Sequence, residues 1–354
     1  MQKFKNILKK VWLSIKKHIW SIVLILLALI VGGFFVWDSY TATIDFDPSF
    51  IMPQKKEPEL FVAPYSGRMV EKSVLEKRPI AVMIENHPDS RPQSGLNDAD
   101  IVYETIAEGG ITRFLALYHS KESELIGPVR SARSYFVEWA DSYDALYAHV
   151  GGSKEAISLI NKLSISDLNQ FYLGKYFWRD STRWAPHNVY TTTEKLRQAA
   201  KSKRYKTETS EINGYLFKDD VEESLRPGSQ KFTVNFNANF APTYTYSIEC
   251  NCYARSIKGV SQIDKKTKKK VIAKNVVVIF SDLGSSYLRG TAYTTITTTG
   301  TGAAYLYQDG VKKIGTWKRV PGKPLRFYDS GGKEFELNSG TTWIDVVAKG
   351  TIVK

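Results

Sequence analysis

The chain has 354 residues, of which 43% are hydrophobic and 13% aromatic, enough to bury cores in about two domains. Its formal net charge is +13, and such a basic chain favours anionic neighbours, for example lipid headgroups or phosphate-bearing wall polymers. Nucleic acid is excluded as a predicted partner, because the aromatic and basic signatures of its readers are missing.

The N-terminal segment is a predicted membrane anchor. Residues 1–18 carry six lysines and no acid, and 19 residues without a charged side chain follow, from Ile19 to Trp37. At about 1.5 Å per residue this run spans about 30 Å, the thickness of the hydrocarbon core. The lysines favour the cytoplasm, so we expect a single-pass protein with everything after Asp38 outside the cell membrane. A cleavable signal peptide is the alternative interpretation.

Beyond the anchor the sequence predicts an α+β fold in two parts. Residues 38–77 contain four prolines and no sustained periodicity, which is typical of a stalk. Folded structure is expected to begin at Ile80. We assign residues 78–226 to an N-terminal α/β domain with a mixed sheet, and residues 227–354 to a β-rich C-terminal domain.

Apolar patterning and turn signals predict the elements of the α/β half. A buried strand is predicted over Ile80–Glu85, and two further strands, Ile101–Glu108 and Ile111–His119, flank a two-residue turn at Gly109 and Gly110. The predicted helices run from Ser134 to Ala148, from a Ser153 cap through Leu163, and from Thr191, where Glu194 completes a capping box.

The C-terminal half is predicted to consist of short strands. They are Phe232–Phe236, Thr243–Ser256, Asn275–Phe280 and the run from Ala303 to Val320 with a turn at Asp309 and Gly310. Five lysines between residues 265 and 270 fall in a turn, either as a solvated tip or as an anion-gripping loop.

The chain has two cysteines, Cys250 and Cys252, and therefore no cross-link between distant parts of the fold. Within one strand their Cα atoms would be about 6.5–7 Å apart, at or beyond the limit of a relaxed disulfide. The favoured interpretation is two unpaired thiols, and the alternative is a strained local bond or a redox pair.

The first charged cluster surrounds the predicted hairpin and the helix after it. If the glycines form the turn, Glu104, Glu108 and Arg113 share one face, as an ion pair at a sheet edge or as part of a cleft. Arg130 and Arg133 lie at the predicted helix start, where the macrodipole disfavours cations. Their compensation is either one of the chain's own acids (Asp100, Glu104 or Glu108) or a bound phosphate, carboxylate or sulfate.

The second cluster lies between Tyr176 and Asn188. Arg179, Asp180, Arg183 and His187 fall within nine residues, together with Trp178 and Trp184. This density in a loop is compatible with a site wall that has stacking rings and polar contacts. A buried network that pins a long loop is the other interpretation.

Recognised hydrolase motifs and phosphate loops are absent from the sequence. His87, His119, His149 and His187 all lie in the α/β half, where a metal site could assemble in space. Because their spacing gives no local support, we interpret them as structural or hydrogen-bonding residues and predict no metal site. The sequence identifies neither catalytic residues nor a cofactor.

Long motifs in both halves also resemble a known family. They are RPIAVMIENHPDSRPQSGLNDADIVYETIAEGGITRFLALY, GPVRSARSYF, HVGGS and FWRDSTRWAPHNVYT in the first half, and NVVVIF, YLYQDGVKKIGTWKR, FYDSGGKEFEL and GTTWIDVV in the second. These strings resemble the YerB family of bacterial envelope lipoproteins, also called domain of unknown function 3048. The resemblance runs from about Tyr65 to Val353 and implies a two-part extracytoplasmic protein attached to the membrane.

The resemblance implies no established activity, because the family's role is unassigned. Its usual member is anchored through a lipidated cysteine near the N-terminus, whereas this sequence has an apolar span there. Either anchor would deliver the folded part to the same compartment.

Together these observations predict an extracytoplasmic protein that binds an anionic cell-wall polymer, another anionic envelope ligand or an envelope partner. The predicted ligand-binding residues are Arg113, Arg130, Arg133, Arg179, Arg183, His187, Glu104 and Glu108. The alternative is an envelope enzyme acting on phosphate-containing wall or lipid-linked substrates. Its acid or base would be Glu85, Asp100, Glu104 or His187.

Overall fold

The structure is a computed structural model that describes residues 2–41, 58–209, 213–288 and 291–354. The chain divides into two compact units, one ending at Glu57 and the other running from Pro58 to Lys354.

The first unit contains one long helix, α1, from Gln2 to Thr41. Its segment Lys3–Trp37 is long and apolar enough, by length and composition, to cross a membrane. The predicted basic tail and the predicted span are therefore parts of one continuous helix. Residues 42–57 of the predicted stalk lie outside the described residues.

The second unit contains four α-helices and 23 strands among its described residues. Helices α2–α5 are Lys72–Leu75, Ser134–Asp141, Lys154–Lys162 and Thr193–Ser202. Strands β1–β10 are Leu60–Val62, Met69–Glu71, Ile80–Glu85, Ile101–Ile106, Thr112–Tyr118, Leu146–His149, Asp167–Asn169, Trp178–Arg179, Val189–Tyr190 and Leu216–Lys218. Strands β11–β23 are Lys231–Thr233, Pro242–Ser247, Cys252–Ile257, Val260–Ser261, Ile272–Ala273, Asn275–Ser281, Leu283–Leu288, Thr291–Ile296, Gly300–Gln308, Val311–Arg319, Arg326–Tyr328, Glu336–Asn338 and Thr342–Ala348.

One mixed sheet of ten strands runs through both halves of this unit, in the order β21-β20-β19-β16-β23-β4-β5-β3-β6-β7. Strand β23, near the C-terminus, pairs in parallel with β16 on one side and with β4 on the other. A smaller sheet is built from β11 to β15. The predicted α+β class, with a mixed sheet and a β-rich C-terminal region, is confirmed.

The large sheet is covered on both faces along its neighbouring strands β16, β23, β4, β5 and β3, where nearly all residues are buried. All six residues of β3 are buried. Ile80, Val82 and Ile84 pack in the core that includes α5 and the smaller sheet. Ala81 and Met83 face the core that includes α3 and α4. Burial on both faces explains why β3 has a continuous apolar sequence instead of an alternating one.

The predicted helix from Ser134 to Ala148 is too long. Helix α3 ends at Asp141, Asp144 has a φ of +49°, and Leu146–His149 forms β6, parallel to β3. A short buried strand is as apolar as a helical stripe, so periodicity alone did not separate the two.

The other two helix starts agree more closely with prediction. Ser153 caps α4, and its side chain accepts a hydrogen bond from the Ala156 N–H over 3.2 Å. Helix α5 is capped by Thr192, one residue later than predicted.

Folded structure begins well before Ile80. Residues 58–77, which the sequence assigned to the stalk, include the antiparallel pair β1–β2 and the short helix α2. Tyr65 is buried, and Arg68 forms an ion pair of 2.9 Å with the buried Asp100. The described part of the predicted stalk is therefore packed onto the fold.

The two cysteines form a disulfide, so the favoured interpretation of unpaired thiols is wrong. Strand β13 begins only at Cys252, and Asn251 before it has a φ of +46°. This turn brings the two Cα atoms to 5.2 Å, closer than a continuous strand would. The bond is local, as the alternative interpretation held.

Candidate functional site

The carboxyl ends of three neighbouring parallel strands, β3, β6 and β7, meet at one edge of the large sheet. The strands end at Glu85, His149 and Asn169. Ligands of open α/β sheets bind outside such carboxyl ends. We call this region the carboxyl edge and define it by these three residues and by segment 128–133, which crosses it.

Backbone hydrogen bonds hold this segment in place. The Arg130 N–H donates to the Met83 carbonyl and the Ala132 N–H to the Gly151 carbonyl, each over 2.9 Å. Arg133 is the residue immediately before α3. Both arginines predicted at a helix start therefore lie at the carboxyl edge.

Arg133 is compensated by one of the chain's own acids. Its guanidinium group donates to both carboxylate oxygens of Glu108. Arg113 lies 3.9 Å from the same carboxylate and donates to the Ser131 carbonyl over 2.8 Å. Burial opposes ionisation of Glu108, but the hydrogen bonds and charge of Arg133 outweigh it and lower the pKa of this carboxyl.

Arg113 is a buried cation that lies near the other arginines of this group. Burial, and after it the neighbouring Arg133, lower the pKa of Arg113 to about 10. Glu108 acts in the opposite direction but does not cancel these effects. The predicted closeness of Glu108 and Arg113 is confirmed.

Glu85 is the centre of a second group at the carboxyl edge. Its Oε1 atom lies 3.0 Å from Arg130 Nε, an ion pair in which the N–H is not aligned for a hydrogen bond. Its Oε2 atom lies 2.9 Å from His187 Nδ1. The side chain of Glu85 is only 6% exposed. Sequence reasoning named Glu85 as a candidate acid or base, but not as the partner of Arg130.

Glu104 does not belong to this edge, and the prediction that it shares a face with Arg113 is wrong. Glu104 pairs with Phe114 in the β4–β5 register, whereas Arg113 pairs with Thr105. The connection is also longer than the predicted two-residue turn, since the Ala107 N–H donates to the Ile111 carbonyl. Glu104 therefore points to the opposite face, where it is fully buried.

The second predicted cluster divides into two roles. Arg183 donates to the backbone carbonyls of Ser90 and Pro92, so it pins the loop after β3, as the buried-network interpretation held. Arg179 donates to Asn188 Oδ1 over 2.7 Å from an exposed position. Its contact with a ligand stays a prediction. Trp184 is 90% exposed, which leaves its ring face open to solvent.

Two histidines meet at this edge in a way that sequence reasoning missed. The rings of His87 and His187 stack with centroids 4.6 Å apart, and Asp89 lies beside them. The available signal was the turn-rich NHPDSRP directly after β3, which places His87 and Asp89 at the strand's carboxyl end. Its partner His187 is a hundred residues away in sequence, so local spacing gave no indication of the contact.

Two of the acids proposed for an enzyme are fully buried and accept hydrogen bonds from other parts of the fold. Asp100 accepts hydrogen bonds from the His119 and Ser120 N–H groups, and Glu104 accepts from Asn86 and Thr112. Both side chains are fully buried. Glu85 and His187 are the proposed acid or base residues that remain at the carboxyl edge.

None of the arginines predicted to bind a ligand lines the cavity at the start of α5 or the cavity beside Tyr65. A cavity of about 600 Å³ lies at the start of α5, with Glu122, Arg197 and Lys201 among its lining residues. Another of about 280 Å³ is lined by Tyr65 and Asp144, among others. Neither contains a predicted site residue.

The fold and the edge define an α+β protein whose two halves share one mixed sheet. The family model described as protein of unknown function (DUF3048), N-terminal domain, matches residues 65–206, and the model of the DUF3048 C-terminal domain matches residues 232–344. The chain belongs to the DUF3048 family, as its motifs indicated.

A relative and a solved structure agree with this assignment. The chain is 35% identical over 291 residues to the protein named "Putative lipoprotein YerB" of Bacillus subtilis (strain 168), covering 80% of this chain and 86% of the relative. The crystal structure of Bacillus subtilis YerB is similar, with a TM-score of 0.75 and 33% identity. That match covers 83% of this chain and 99% of the solved one.

Proposed function

We propose that this protein is a single-pass membrane protein with a cytoplasmic N-terminus, and that its folded part binds an anionic envelope ligand outside the cytoplasm. Helix α1 is long and apolar enough to cross a membrane. The lysines in its N-terminal part favour a cytoplasmic N-terminus. The relative named as a lipoprotein supports attachment to a membrane in the envelope. The binding site is the arginine cluster of the carboxyl edge, defined by Arg113, Arg130 and Arg133.

The excess positive charge of this cluster is the observation that carries the proposal. Among the described residues, its three guanidinium groups are paired with two carboxylates, Glu85 and Glu108, which leaves one positive charge. Burial is the main cause of the lowered pKa of Arg113, and the positive charges of Arg133 and Arg130 add to it. A phosphate or carboxylate group bound at the edge would compensate it through charge-assisted hydrogen bonds.

Arg130 and Arg133 are the residues that an external anion reaches. Their side chains are 25% and 15% exposed, whereas that of Arg113 is 10% exposed. A guanidinium group offers several N–H donors in one plane, so each arginine can keep its carboxylate and still donate to a ligand. Arg113 then stabilises the bound anion from below by its charge.

Binding to a phosphate-bearing wall polymer tests the proposal. Detergent-solubilised full-length protein should sediment with the purified polymer at low salt, and the variant Arg130→Gln/Arg133→Gln should lose this retention about tenfold or more. Each charge-assisted hydrogen bond that is lost accounts for about 1.5–3 kcal/mol. Retention should also fall as salt is raised.

The matched control is Lys268→Gln/Lys269→Gln, which removes the same charge from two exposed lysines of the lysine-rich turn. We expect it to bind like the wild type. Equal losses in both variants would mean that overall charge, and not the arginine cluster, holds the polymer. Unchanged retention in the arginine variant would refute the proposed site.

The orientation has its own test. A protease added to intact protoplasts should digest the folded part, residues 58–354, and leave only a small membrane-bound fragment that contains α1. Digestion should not require lysis of the protoplasts. Protection of residues 58–354 until lysis would place the folded part in the cytoplasm and exclude an envelope ligand.

A further inference from the structure

The two loops at the carboxyl edge bring together a set of metal-ligand side chains. One ligand atom each from His87, Asp89 and His187 lies within 4.8 Å of the others. His87 Nδ1 is 3.5 Å from Asp89 Oδ2. His87 and Asp89 follow β3, and His187 precedes β9. Two imidazoles and a carboxylate form a donor set typical of first-row divalent transition metals.

We propose that His87, Asp89 and His187 bind one divalent transition-metal ion, with Zn²⁺ as the best fit among the common ones. Zinc accepts imidazole nitrogen and carboxylate oxygen together, and a site with three protein ligands keeps a position open for water or a ligand. The prediction of no metal site rested on sequence spacing, which cannot detect ligands from two distant loops. The inference does not depend on the proposed anion binding.

Glu85 contacts His187 in the way that a carboxylate commonly supports a metal-binding histidine. A metal-binding histidine commonly donates its second ring N–H to a carboxylate, which fixes the tautomer and the ring orientation. The contact between His187 Nδ1 and Glu85 Oε2, at 2.9 Å, has this form. It leaves Nε2 of His187 as the coordinating atom. Glu85 is itself nearly buried and paired with Arg130, so this support is rigid.

The loop that carries the other two ligands is also held in place. Ser90 Oγ donates to the His87 carbonyl over 2.6 Å. Arg183, which belongs to the same loop as His187, donates to the Ser90 and Pro92 carbonyls. The two ligand loops are thus fastened to each other. We therefore assign Arg183 as a positioning residue of the metal site and not as a ligand contact.

Only side-chain adjustments are needed to close the site. Two ligands at 2.0–2.1 Å from zinc in a tetrahedral arrangement are about 3.3 Å apart, compared with the present spacing of up to 4.8 Å. Asp89 is 72% exposed and can rotate, whereas His87, 31% exposed, must also leave its stacked position on the His187 ring so that a nitrogen of each ring points at the ion. His87 Nδ1 would exchange the 3.2 Å hydrogen bond that it accepts from the Asp89 N–H for the metal.

Zinc binding by the full-length protein tests this inference. The protein is purified in detergent without a histidine tag, and its zinc affinity is measured by competition with a chromophoric chelator. We expect one Zn²⁺ per chain. His87→Gln/His187→Gln should weaken binding by at least about 100-fold, because losing ligands costs more than the 10- to 100-fold typical of outer-shell changes. Glu85→Gln should weaken it by about 10- to 100-fold.

Asp89→Asn is the variant that cannot be confused with misfolding, because the side chain is mostly exposed. It should weaken zinc binding while the thermal unfolding midpoint stays unchanged. Asp219→Asn, another exposed aspartate, is the matched control and should bind zinc like the wild type. Substitution with Co²⁺ should give the intense visible absorption of a four-coordinate site. Failure of the wild type to bind zinc, or unchanged binding in the double histidine variant, would overturn the assignment.

Discussion

Replacing Arg255 by methionine should lower the free energy of unfolding by about 3–5 kcal/mol, the loss typical when one partner of a buried ion pair is removed. Arg255 is 1% exposed, and its Nη2 atom lies 2.5 Å from a carboxylate oxygen of Glu104, which is fully buried. Without the arginine, Glu104 would lose the guanidinium group of its ion pair while its side chain stays fully buried. Because β4 carries Glu104 and β13 carries Arg255, the change also weakens the packing of the smaller sheet on the large one.

The surroundings of Arg255 show why the pair is stable as it stands. The guanidinium carbon lies 5.1–6.0 Å from the ring centroids of Phe114, Tyr244 and Trp343, in cation–π range. Burial disfavours the charge, yet Glu104 acts against it, and the pKa of Arg255 is raised overall. Asp345, beside Glu104 in the β23–β4 register, has its pKa raised by burial and by the charge of Glu104.

Urea denaturation of the detergent-solubilised protein, followed by tryptophan fluorescence, measures the effect. The double variant Arg255→Met/Glu104→Leu should recover part of the loss, because it removes both charges together. Asp345→Asn should cost less than Glu104→Gln, since burial and the charge of Glu104 already disfavour the ionised form of Asp345. A loss below about 1 kcal/mol for Arg255→Met, the range of a surface pair, would contradict the buried-pair interpretation.

The same pair shows what the sequence could not predict. Glu104 and Arg255 are separated by 151 positions and lie in different halves. The sequence placed Glu104 with Arg113 because it assumed a two-residue turn, and a longer connection changes the face on which a strand residue lies. Strand β3 was predicted with its correct bounds, because a short apolar run between turn signals is a local property.

In the candidate site, too, contacts near predicted elements could be predicted, whereas contacts between distant parts of the chain could not. The pair of Glu108 with Arg133 was among the predicted alternatives, since both residues border predicted elements. The contact of Glu85 with His187 was not predicted, because it joins the end of β3 to a loop 102 positions away. The position of β23 between β16 and β4 could not be predicted from the sequence either, since a strand's neighbours in a mixed sheet depend on the path of the whole chain.

Asp100→Ala is the second substitution from which we expect a large loss, about 3 kcal/mol or more. The buried carboxylate accepts hydrogen bonds from the His119 N–H over 2.7 Å, the Ser120 N–H over 2.8 Å and Arg68 over 2.9 Å. Hydrogen bonds to a charged group contribute about 1.5–3 kcal/mol each, and buried donors left without an acceptor add a further cost. Asp219→Ala, at an exposed position, is the matched control and should change stability by less than about 0.5 kcal/mol.

Arg68→Ala separates the role of the N-terminal segment from that of Asp100 itself. Arg68 joins the β1–β2 segment to Asp100 and, through a 3.0 Å hydrogen bond, to Thr341 just before β23. Since Arg68 is 28% exposed, its removal should cost less than Asp100→Ala but should make residues 58–77 exchange amide hydrogens faster. Fast exchange of this segment already in the wild type would mean that it behaves as the flexible stalk that its prolines suggested. Slow exchange that is lost in Arg68→Ala would mean that the ion pair with Asp100 fastens the segment to the sheet.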